Sequence, residues 1–328
     1  GVGNGSIRYH LERYFRLIHL LHARSHHVQR IDLIMRIAFL DTVHPILADR
    51  LTAAGHTCTH SDNAAQGEIE RILDNTEGIV VRSKKVNADR IDHSPHLKFI
   101  GRVGAGLENI DTAHCLKKNI LVLNSPEGNR DGVGESCVML LLALMKSLVP
   151  ANHAVREGHW PREALRGTDL RDKTIGIIGF GQMGSSFAEK LRGFGVRILG
   201  YDKYKSGFSK AGIEECGLEQ VLRQSDVISL HLPLTDETHH YANKDFFLRL
   251  GKPIWLINTS RGPVVHTEAL LDAIDHHRVL AAGLDVLEFE GAELDGLDPS
   301  LDPATQKRLI AHPNVLLTPH IAGVTHEG

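Results

Sequence analysis

Residues 174–202 read TIGIIGFGQMGSSFAEKLRGFGVRILGYD, and this stretch decides the fold. An apolar run enters a glycine-rich turn, a helix-like stretch follows, and a second apolar run ends at Asp202. This order of strand, turn, helix and strand, with an acidic residue roughly 20 positions after the turn, is typical of a dinucleotide-binding domain. A GxGxxG pattern alone is weak because glycine is common, but its position between a strand and a helix makes this one specific.

Each glycine of the turn has its own physical role. Gly179 permits the tight turn, Gly181 lets the backbone approach a pyrophosphate, and Gly184 lets the helix pack closely on the strand. The phosphates would lie at the helix N-terminus, where unpaired N–H groups and the positive end of the macrodipole face them. Asp202 can accept hydrogen bonds from both hydroxyls of the adenine ribose and would repel a 2′-phosphate. The sequence therefore predicts NAD as the cofactor, in preference to NADP or to a glycine turn that binds nothing.

Composition places the chain among ordinary globular proteins. Its 328 residues suffice for two domains with full cores, with 42% hydrophobic and 23% charged residues. The formal net charge of -3 predicts no nucleic-acid partner, and no apolar run is long enough to cross a membrane. Four scattered cysteines without CxxC spacing and 22 histidines without an HExxH motif predict no metal site and a reducing, cytoplasmic location.

After an N-terminal stretch that differs from the rest, apolar strand-like runs alternate with helical patterns in two successive parts of the chain. This alternation predicts an α/β protein with two doubly wound parallel-sheet domains, a flavodoxin-like substrate domain and a Rossmann NAD-binding domain. We assign residues 35–128 plus 321–328 to the substrate-binding domain and 129–320 to the NAD-binding domain, and we expect residues 1–34 to be an extension outside the core. The apolar stretch 134–149 predicts one long buried helix.

Unusual polar residues follow three predicted strands of the second domain. Arg261 lies in NTSRG, Glu290 ends DVLEFE, and His320 ends TPH. Ligands of an open parallel sheet bind outside the carboxyl ends of its strands, so these side chains could face the nicotinamide. Arg261 offers a fork of donors to a carboxylate, His320 can donate a proton to a keto oxygen, and Glu290 can orient His320. Each residue alone could be structural, but their joint position after a dinucleotide motif favours catalysis.

From about Met35 onward the chain resembles the D-isomer-specific 2-hydroxyacid dehydrogenases. The motifs that carry the resemblance are, in order, GRVGAGLENID, NSP with Glu135, GFGQMG, HLPLTDET, NTSRG, GLDVLEFE and TPHIAG. The resemblance implies a catalytic set of Arg261, Glu290 and His320. Gln182 departs from the family, in which arginine is common there, so we expect a modestly weaker attraction for phosphate. The cofactor contacts that the resemblance implies are the turn glycines, Gln182, Met183, Asp202, Leu232, Pro233, Thr238, Thr259, Ser260, Asp285 and Ala322.

The first domain bears on the choice of substrate. Arg82, Ser83 and Arg102 resemble the loops with which D-3-phosphoglycerate dehydrogenases hold a substrate phosphate, and two arginines suit a dianion. The resemblance further implies that the substrate carboxylate meets the backbone of Arg102, Val103 and Gly104. We therefore expect a short enzyme without a regulatory domain that interconverts 3-phosphoglycerate and 3-phosphohydroxypyruvate, a step of serine biosynthesis.

Two alternatives stay open. One is a hydroxypyruvate or glyoxylate reductase of the same family, because arginine also occurs at such a position in those relatives. The other is a non-enzymatic, NAD-sensing scaffold similar to the family's transcriptional corepressors, which retain the same catalytic residues. In either enzymatic case we expect a homodimer formed through the long helix, as is usual in the family.

Overall fold

The chain folds as two α/β units. The structure, a computed structural model, describes residues 34–61, 66–210, 212–291 and 296–326. The predicted extension, except for Ile34, lies outside these residues. The division between the units falls between Asn129 and Arg130. Each unit is built on a parallel sheet, as the alternating pattern predicts.

The first unit has a five-stranded sheet with buried residues on both faces. One apolar cluster contains Ile79 and Ile100, and another contains Phe39 and Phe99. Its strands are β1 (Arg36–Phe39), β2 (Thr57–His60), β3 (Gly78–Val81), β4 (Phe99–Arg102) and β5 (Leu121–Asn124), and they lie in the order β2-β1-β3-β4-β5. Its helices are α1 (Ile46–Ala53), α2 (Gln66–Leu73), α3 (Ala88–Asp92) and α4 (Thr112–Lys117).

The second unit has a seven-stranded sheet and the remaining described helices. Its strands are β6 (Thr174–Ile178), β7 (Arg197–Tyr201), β8 (Ile213–Glu215), β9 (Val227–Leu230), β10 (Ile254–Asn258), β11 (Val279–Leu284) and β12 (Val315–Leu317). Its helices are α5 (Arg130–Met145), α6 (Leu148–Arg156), α7 (Gln182–Lys190), α8 (Leu218–Gln224), α9 (Lys244–Leu248), α10 (Thr267–Asp275) and α11 (Pro303–Ala311). The strand order is β12-β11-β10-β9-β6-β7-β8, so the direction of winding reverses at β6, where the glycine turn begins. Such a switch point is where open parallel sheets bind ligands.

The long apolar helix is broken in two, so the prediction of one helix over 134–149 is wrong. Helix α5 ends at Met145, Ser147 takes a left-handed φ of 52°, and α6 starts at Leu148 with a bend of 59° between the two helices. Pro150 explains the new start, because proline fits the first turn of a helix, where its missing N–H has no partner to lose. Among the described residues no single helix is long and apolar enough to cross a membrane; α5 and α6 meet that test only when combined.

The segment after β12 groups with the second unit, whereas the sequence assignment gives residues 321–328 to the first domain. Ala322 is 3% exposed within the apolar cluster around α5, and its carbonyl accepts a hydrogen bond from Ser136 Oγ at 3.2 Å. The physical reason is Asp285, whose carboxylate accepts the backbone N–H groups of Ile321 and Ala322.

Candidate active site

The glycine turn after β6 leaves open space beside its backbone. Gly179 has a φ of 91°, and a Cβ there would lie 2.3 Å from the carbonyl oxygen of His231. A Cβ on Gly184 would lie 2.2 Å from the carbonyl oxygen of Gly179, so neither position accepts a side chain. Around Gly181, by contrast, no atom lies within 4 Å of a Cβ position, and α7 begins at the next residue. This arrangement fits a pyrophosphate placed against the N-terminus of α7.

Asp202 links the turn to the loop after β7. Its Oδ2 accepts a hydrogen bond from Phe180 N at 2.8 Å, and its Oδ1 accepts from Tyr204 N at 2.9 Å and Lys205 N at 3.0 Å. A carboxylate has about four lone-pair sites. Three are used by backbone N–H groups of the protein, so the carboxylate is fixed in orientation at the end of β7, and the predicted contact with the adenine ribose stays a prediction.

The loop after β9 contains three of the predicted cofactor residues. Thr238 is buried, and its hydroxyl donates to the carbonyl oxygen of Pro233 at 2.5 Å and accepts from Thr235 N at 2.8 Å. Thr238 therefore closes the loop. Leu232 is half-buried and Pro233 is exposed on it, so these two residues can contact a ligand at the strand ends.

The loop after β10, which carries Arg261, is held by the side chain of Asn258. Asn258 Oδ1 accepts from the backbone N and the Oγ of Ser260 at 3.1 and 2.7 Å, while Asn258 Nδ2 donates to the carbonyl oxygen of Arg261 at 3.0 Å. Arg261 Nη1 donates to Ser260 O at 2.6 Å. A Cβ on Gly262 would lie 1.9 Å from Leu287 O, so glycine is needed for this loop to pack against the loop after β11.

His320 and Glu290, the predicted acid–base pair, are hydrogen-bonded to each other. His320 Nδ1 lies 2.9 Å from Glu290 Oε2, and Glu290 Oε1 accepts a hydrogen bond from Leu287 N at 2.6 Å. The two side chains are 29% and 18% exposed, so they are sheltered but reachable from solvent. Because Glu290 engages Nδ1, the other ring nitrogen, Nε2, points away from Glu290. The sequence predicted this contact, and the structure contains it.

Asp285 anchors the loop that carries His320. Its side chain is buried, with Oδ1 accepting from Thr318 Oγ1 at 2.6 Å and Ile321 N at 2.9 Å, and Oδ2 accepting from Ala322 N at 2.8 Å. Its backbone carbonyl accepts from His320 N at 2.8 Å, which holds His320 at its left-handed φ of 55°. This anchoring role was missed by sequence reasoning, which expected a cofactor contact at Asp285.

A second histidine–glutamate pair, between the loops after β9 and β11, was also missed by sequence reasoning. His240 Nε2 lies 2.5 Å from Glu288 Oε1, and Glu288 Oε2 accepts from Thr267 N at 2.8 Å at the start of α10. The His240 ring also contacts the ring of His266 at 4.5 Å between centroids. The pair therefore connects the loops after β9, β10 and β11. Among the described residues no group of histidine, cysteine or acidic side chains has the geometry of a metal site.

In the first unit, the loop after β3 is organised by Asp41, a residue that sequence reasoning did not single out. Asp41 Oδ2 accepts from the backbone N of Arg82, Ser83 and Lys84 at 2.7, 2.9 and 3.0 Å. Arg82 is exposed beside them. The three N–H groups form a small anion-binding concavity, and a carboxylate of the protein already occupies it.

Arg102, the second predicted substrate arginine, folds back over its own loop. Arg102 Nη1 donates to Val103 O at 3.1 Å, and a Cβ on Gly104, which has a φ of 131°, would lie 1.5 Å from that Nη1. Glycine at 104 therefore leaves the space in which the guanidinium lies. The charge of Arg102 is thus placed at the loop to which the sequence assigns the substrate carboxylate.

The chain is similar in sequence to known proteins over most of its length. Residues 138–322 match the family model described as D-isomer specific 2-hydroxyacid dehydrogenase, NAD binding domain. The hydroxypyruvate reductase of Thermotoga maritima is 37% identical over 268 residues, which cover 81% of this chain and 84% of that protein. The D-3-phosphoglycerate dehydrogenase of Bacillus subtilis is 34% identical over 268 residues, and there the match spans about half of the relative, 48%.

Solved structures give the same assignment of the fold. The D-lactate dehydrogenase of Aquifex aeolicus, crystallised with NAD and lactic acid, superposes with a TM-score of 0.76 at 29% identity. The superposition covers 89% of this chain and 90% of that one.

Proposed function

Because this chain belongs to the D-isomer-specific 2-hydroxyacid dehydrogenase family, whose members are NAD-dependent oxidoreductases, we propose that it interconverts a small 2-keto acid and the D-2-hydroxy acid. The observation that carries the proposal is the hydrogen bond of 2.9 Å between His320 Nδ1 and Glu290 Oε2. This pair lies beyond the carboxyl ends of β11 and β12, in the same sheet whose strand β6 leads into the glycine turn. When bound, the nicotinamide supplies or accepts the hydride.

The residues of the chain provide proton transfer and orientation. In the direction of reduction, His320 Nε2 gives a proton to the keto oxygen, and in oxidation it takes the proton from the hydroxyl. Glu290 is a positioning residue, since it fixes the ring through Nδ1. The guanidinium of Arg261 suits the substrate carboxylate and the adjacent keto oxygen, because its donors form a planar fork.

Substitution of His320 tests this proposal against that of a scaffold without turnover. We expect His320→Ala to lose nearly all reduction of keto acids while its affinity for NADH stays within about twofold of the original, since general acid–base catalysis contributes typically ~10²–10⁴-fold. Steady-state kinetics and NADH fluorescence titration measure the two quantities. Unchanged turnover in the variant would refute the role of His320, and no turnover by the unmodified protein would favour the scaffold.

For the substrate, we propose 3-phosphoglycerate and 3-phosphohydroxypyruvate. Arg82, Lys84 and Arg102 supply positive charge on two adjacent loops of the first unit, which suits a phosphate in addition to a carboxylate. The relatives named D-3-phosphoglycerate dehydrogenase add support. This substrate would give the chain a role in serine biosynthesis.

A specific observation favours a second candidate, the unphosphorylated hydroxypyruvate. The carboxylate of Asp41 already occupies the N–H groups of residues 82–84 and places a negative charge where a phosphate would otherwise bind the backbone. The relative named hydroxypyruvate reductase, at 37% identity, adds support.

A panel of 3-phosphohydroxypyruvate, hydroxypyruvate and glyoxylate, followed by NADH absorbance, decides between the two candidate substrates. We expect the highest kcat/KM for the phosphorylated acid, and a preference for hydroxypyruvate would overturn that choice.

We further propose that the protein is a homodimer. Apolar side chains that are at least half exposed cluster on α5 and α6, namely Met139, Leu148, Val149 and Val155. Such a patch is typical of a surface covered by another chain. Light scattering coupled to gel filtration is expected to give twice the mass of one chain, and a monomer would contradict the proposal.

A further inference from the structure

The glycine turn contains no basic side chain of its own. Its six residues, 179–184, read GFGQMG, and a pyrophosphate carries a charge of roughly -2. The N-terminus of α7 offers only about half a positive charge. A complete charge balance at this turn therefore needs a cation from a neighbouring element.

Arg130, the first residue of α5, extends its guanidinium to the first residue of α7. Arg130 Nη1 lies 3.4 Å from Gln182 Oε1, and Arg130 Nη2 donates to Glu189 Oε2 at 2.9 Å. The Arg130 side chain is 30% exposed. The guanidinium thus lies beside α7, in contact with the residue that follows Gly181, where the backbone is open to a ligand.

These contacts give Gln182 a defined direction. Its Oε1 faces the guanidinium, so the NH₂ group of the amide is left to point away from Arg130 and can donate to a phosphate oxygen. The contact at 3.4 Å is long and the Glu189 partner is 47% exposed, so neither interaction holds the guanidinium tightly. Rotation about the side-chain bonds of Arg130 can bring its charge closer to a bound phosphate at little cost.

We propose that Arg130 is a cofactor-binding residue whose guanidinium neutralises the pyrophosphate of NAD at the turn that lacks a cation. The proposal rests on the binding of NAD by the second unit. Arg130 then provides the positive charge and Gln182 the hydrogen-bond donor. A single basic side chain in the turn would provide both. The charge reaches the turn from α5, and Arg130 precedes Gly179 by 49 residues of sequence.

The test compares ligands with and without phosphate on matched variants of the full chain. Arg130→Ala and Arg130→Lys are measured beside Lys190→Ala, whose Nζ lies 3.0 Å from Glu135 Oε1 and so links the same two helices without contacting the turn. Calorimetric titrations with NADH, ADP-ribose and adenosine are made at low and at high salt. We expect Arg130→Ala to weaken NADH and ADP-ribose about tenfold, to leave adenosine unchanged and to lose part of the salt dependence, with Arg130→Lys intermediate and Lys190→Ala unchanged.

Three outcomes would overturn the proposal, and they differ in meaning. Unchanged affinity of Arg130→Ala for ADP-ribose would exclude a contact with phosphate. An equal loss for adenosine, or the same loss in Lys190→Ala, would assign Arg130 to the packing of α5 on α7. Failure of the unmodified protein to bind NADH would refute the proposed function together with this inference.

Discussion

Single polar residues in this protein are held by hydrogen bonds to backbone groups of the loops they stabilise. Asp285 holds the loop of His320, Asn258 holds that of Arg261, and Glu290 accepts from Leu287 N while it pairs with His320. The loops of Arg261 and His320 are each fixed by a side chain at or next to the end of a strand, Asn258 and Asp285. The predicted reactive groups are thus oriented by the sheet, which would limit the reorganisation needed when substrate binds.

The charge of Glu290 is expected to matter beyond its hydrogen bond. Glu290→Gln keeps the size of the side chain and can still contact His320 Nδ1, but it removes the negative charge beside the ring. We expect kcat to fall roughly 10²-fold with little change in NADH affinity, a loss at the lower end of general acid–base effects. Stopped-flow and steady-state kinetics measure it, with the exposed Glu268→Gln of α10 as the control. A loss of NADH affinity equal to the loss of kcat would contradict a role directed at His320.

His231 is expected to make stability depend on pH. Burial lowers the pKa of its ring from 6.5 to about 4, because the charged form would lose its hydration. Its Nε2 lies 2.9 Å from Ser229 Oγ, while Nδ1 is buried without a partner among the described residues. Between pH 6.5 and about 4 the unfolded chain binds more protons at this residue than the folded chain does, so the free energy of unfolding falls as the pH is lowered through that window.

Substitution isolates this contribution. A lowering of the pKa from 6.5 to about 4 corresponds to roughly 3–4 kcal/mol, at ~1.4 kcal/mol per pKa unit. Urea unfolding at pH 7 and pH 4.5 is expected to give a smaller difference for His231→Gln than for the unmodified protein. The exposed His276→Gln serves as the control and should follow the unmodified protein. An equal difference in the free energy of unfolding between pH 7 and pH 4.5 for all three proteins would show that His231 does not titrate in this range.

At the level of elements, helix α5 supports the loop after β10 from the inside of the second unit. Cys137 of α5 is buried, and its Sγ lies 3.2 Å from Thr259 Oγ1. Burial is the largest influence on this thiol and raises its pKa to about 12. At pH 8 only roughly one molecule in ten thousand carries the thiolate, which is the reactive form.

We therefore expect Cys137 to resist alkylation in the folded protein. Mass spectrometry after iodoacetamide treatment at pH 8 should find Cys137 unmodified, whereas the half-buried Cys58 provides an internal comparison that reacts faster. In urea both thiols should react at similar rates. Rapid labelling of Cys137 under native conditions would mean that α5 separates from the loop after β10 more readily than its packing indicates.

Elements with a strong apolar pattern could be predicted from the sequence, and those without one could not. The strands β1, β3, β4, β6, β9 and β10 coincide with buried apolar runs, which are the pattern that predicts a strand of a parallel sheet. Strand β2 reads TCTH and is mostly exposed at the sheet edge, and β8 is a polar three-residue edge strand, so neither has the pattern of a buried strand.

The anchoring roles of Asp41 and Asp285 were missed because these residues bond to loops more than 30 residues away in the sequence. Such pairings appear only once the strands are ordered side by side.

At the scale of the whole molecule, the candidate chemistry and the candidate substrate selection lie in different units. Arg261, Glu290 and His320 belong to the second unit, together with the glycine turn and Asp202. Arg82, Arg102 and Asp41 belong to the first. This division predicts that a change in the first unit alters the selection of substrate without altering the binding of cofactor.

Asp41 allows that division to be tested. Asp41→Ala removes the acceptor of three backbone N–H groups, so the loop after β3 loses its anchor and Arg82 its defined position. Hydrogen bonds to a charged group contribute about 1.5–3 kcal/mol each, so a large effect on the order of the loop is expected. We predict a rise of about tenfold in KM for the keto acid with NADH affinity unchanged, measured by steady-state kinetics and fluorescence titration. The exposed Asp49→Ala of α1 serves as the control for a lost surface charge. If NADH affinity fell as much as keto-acid affinity in Asp41→Ala, the two units could not act separately on cofactor and substrate.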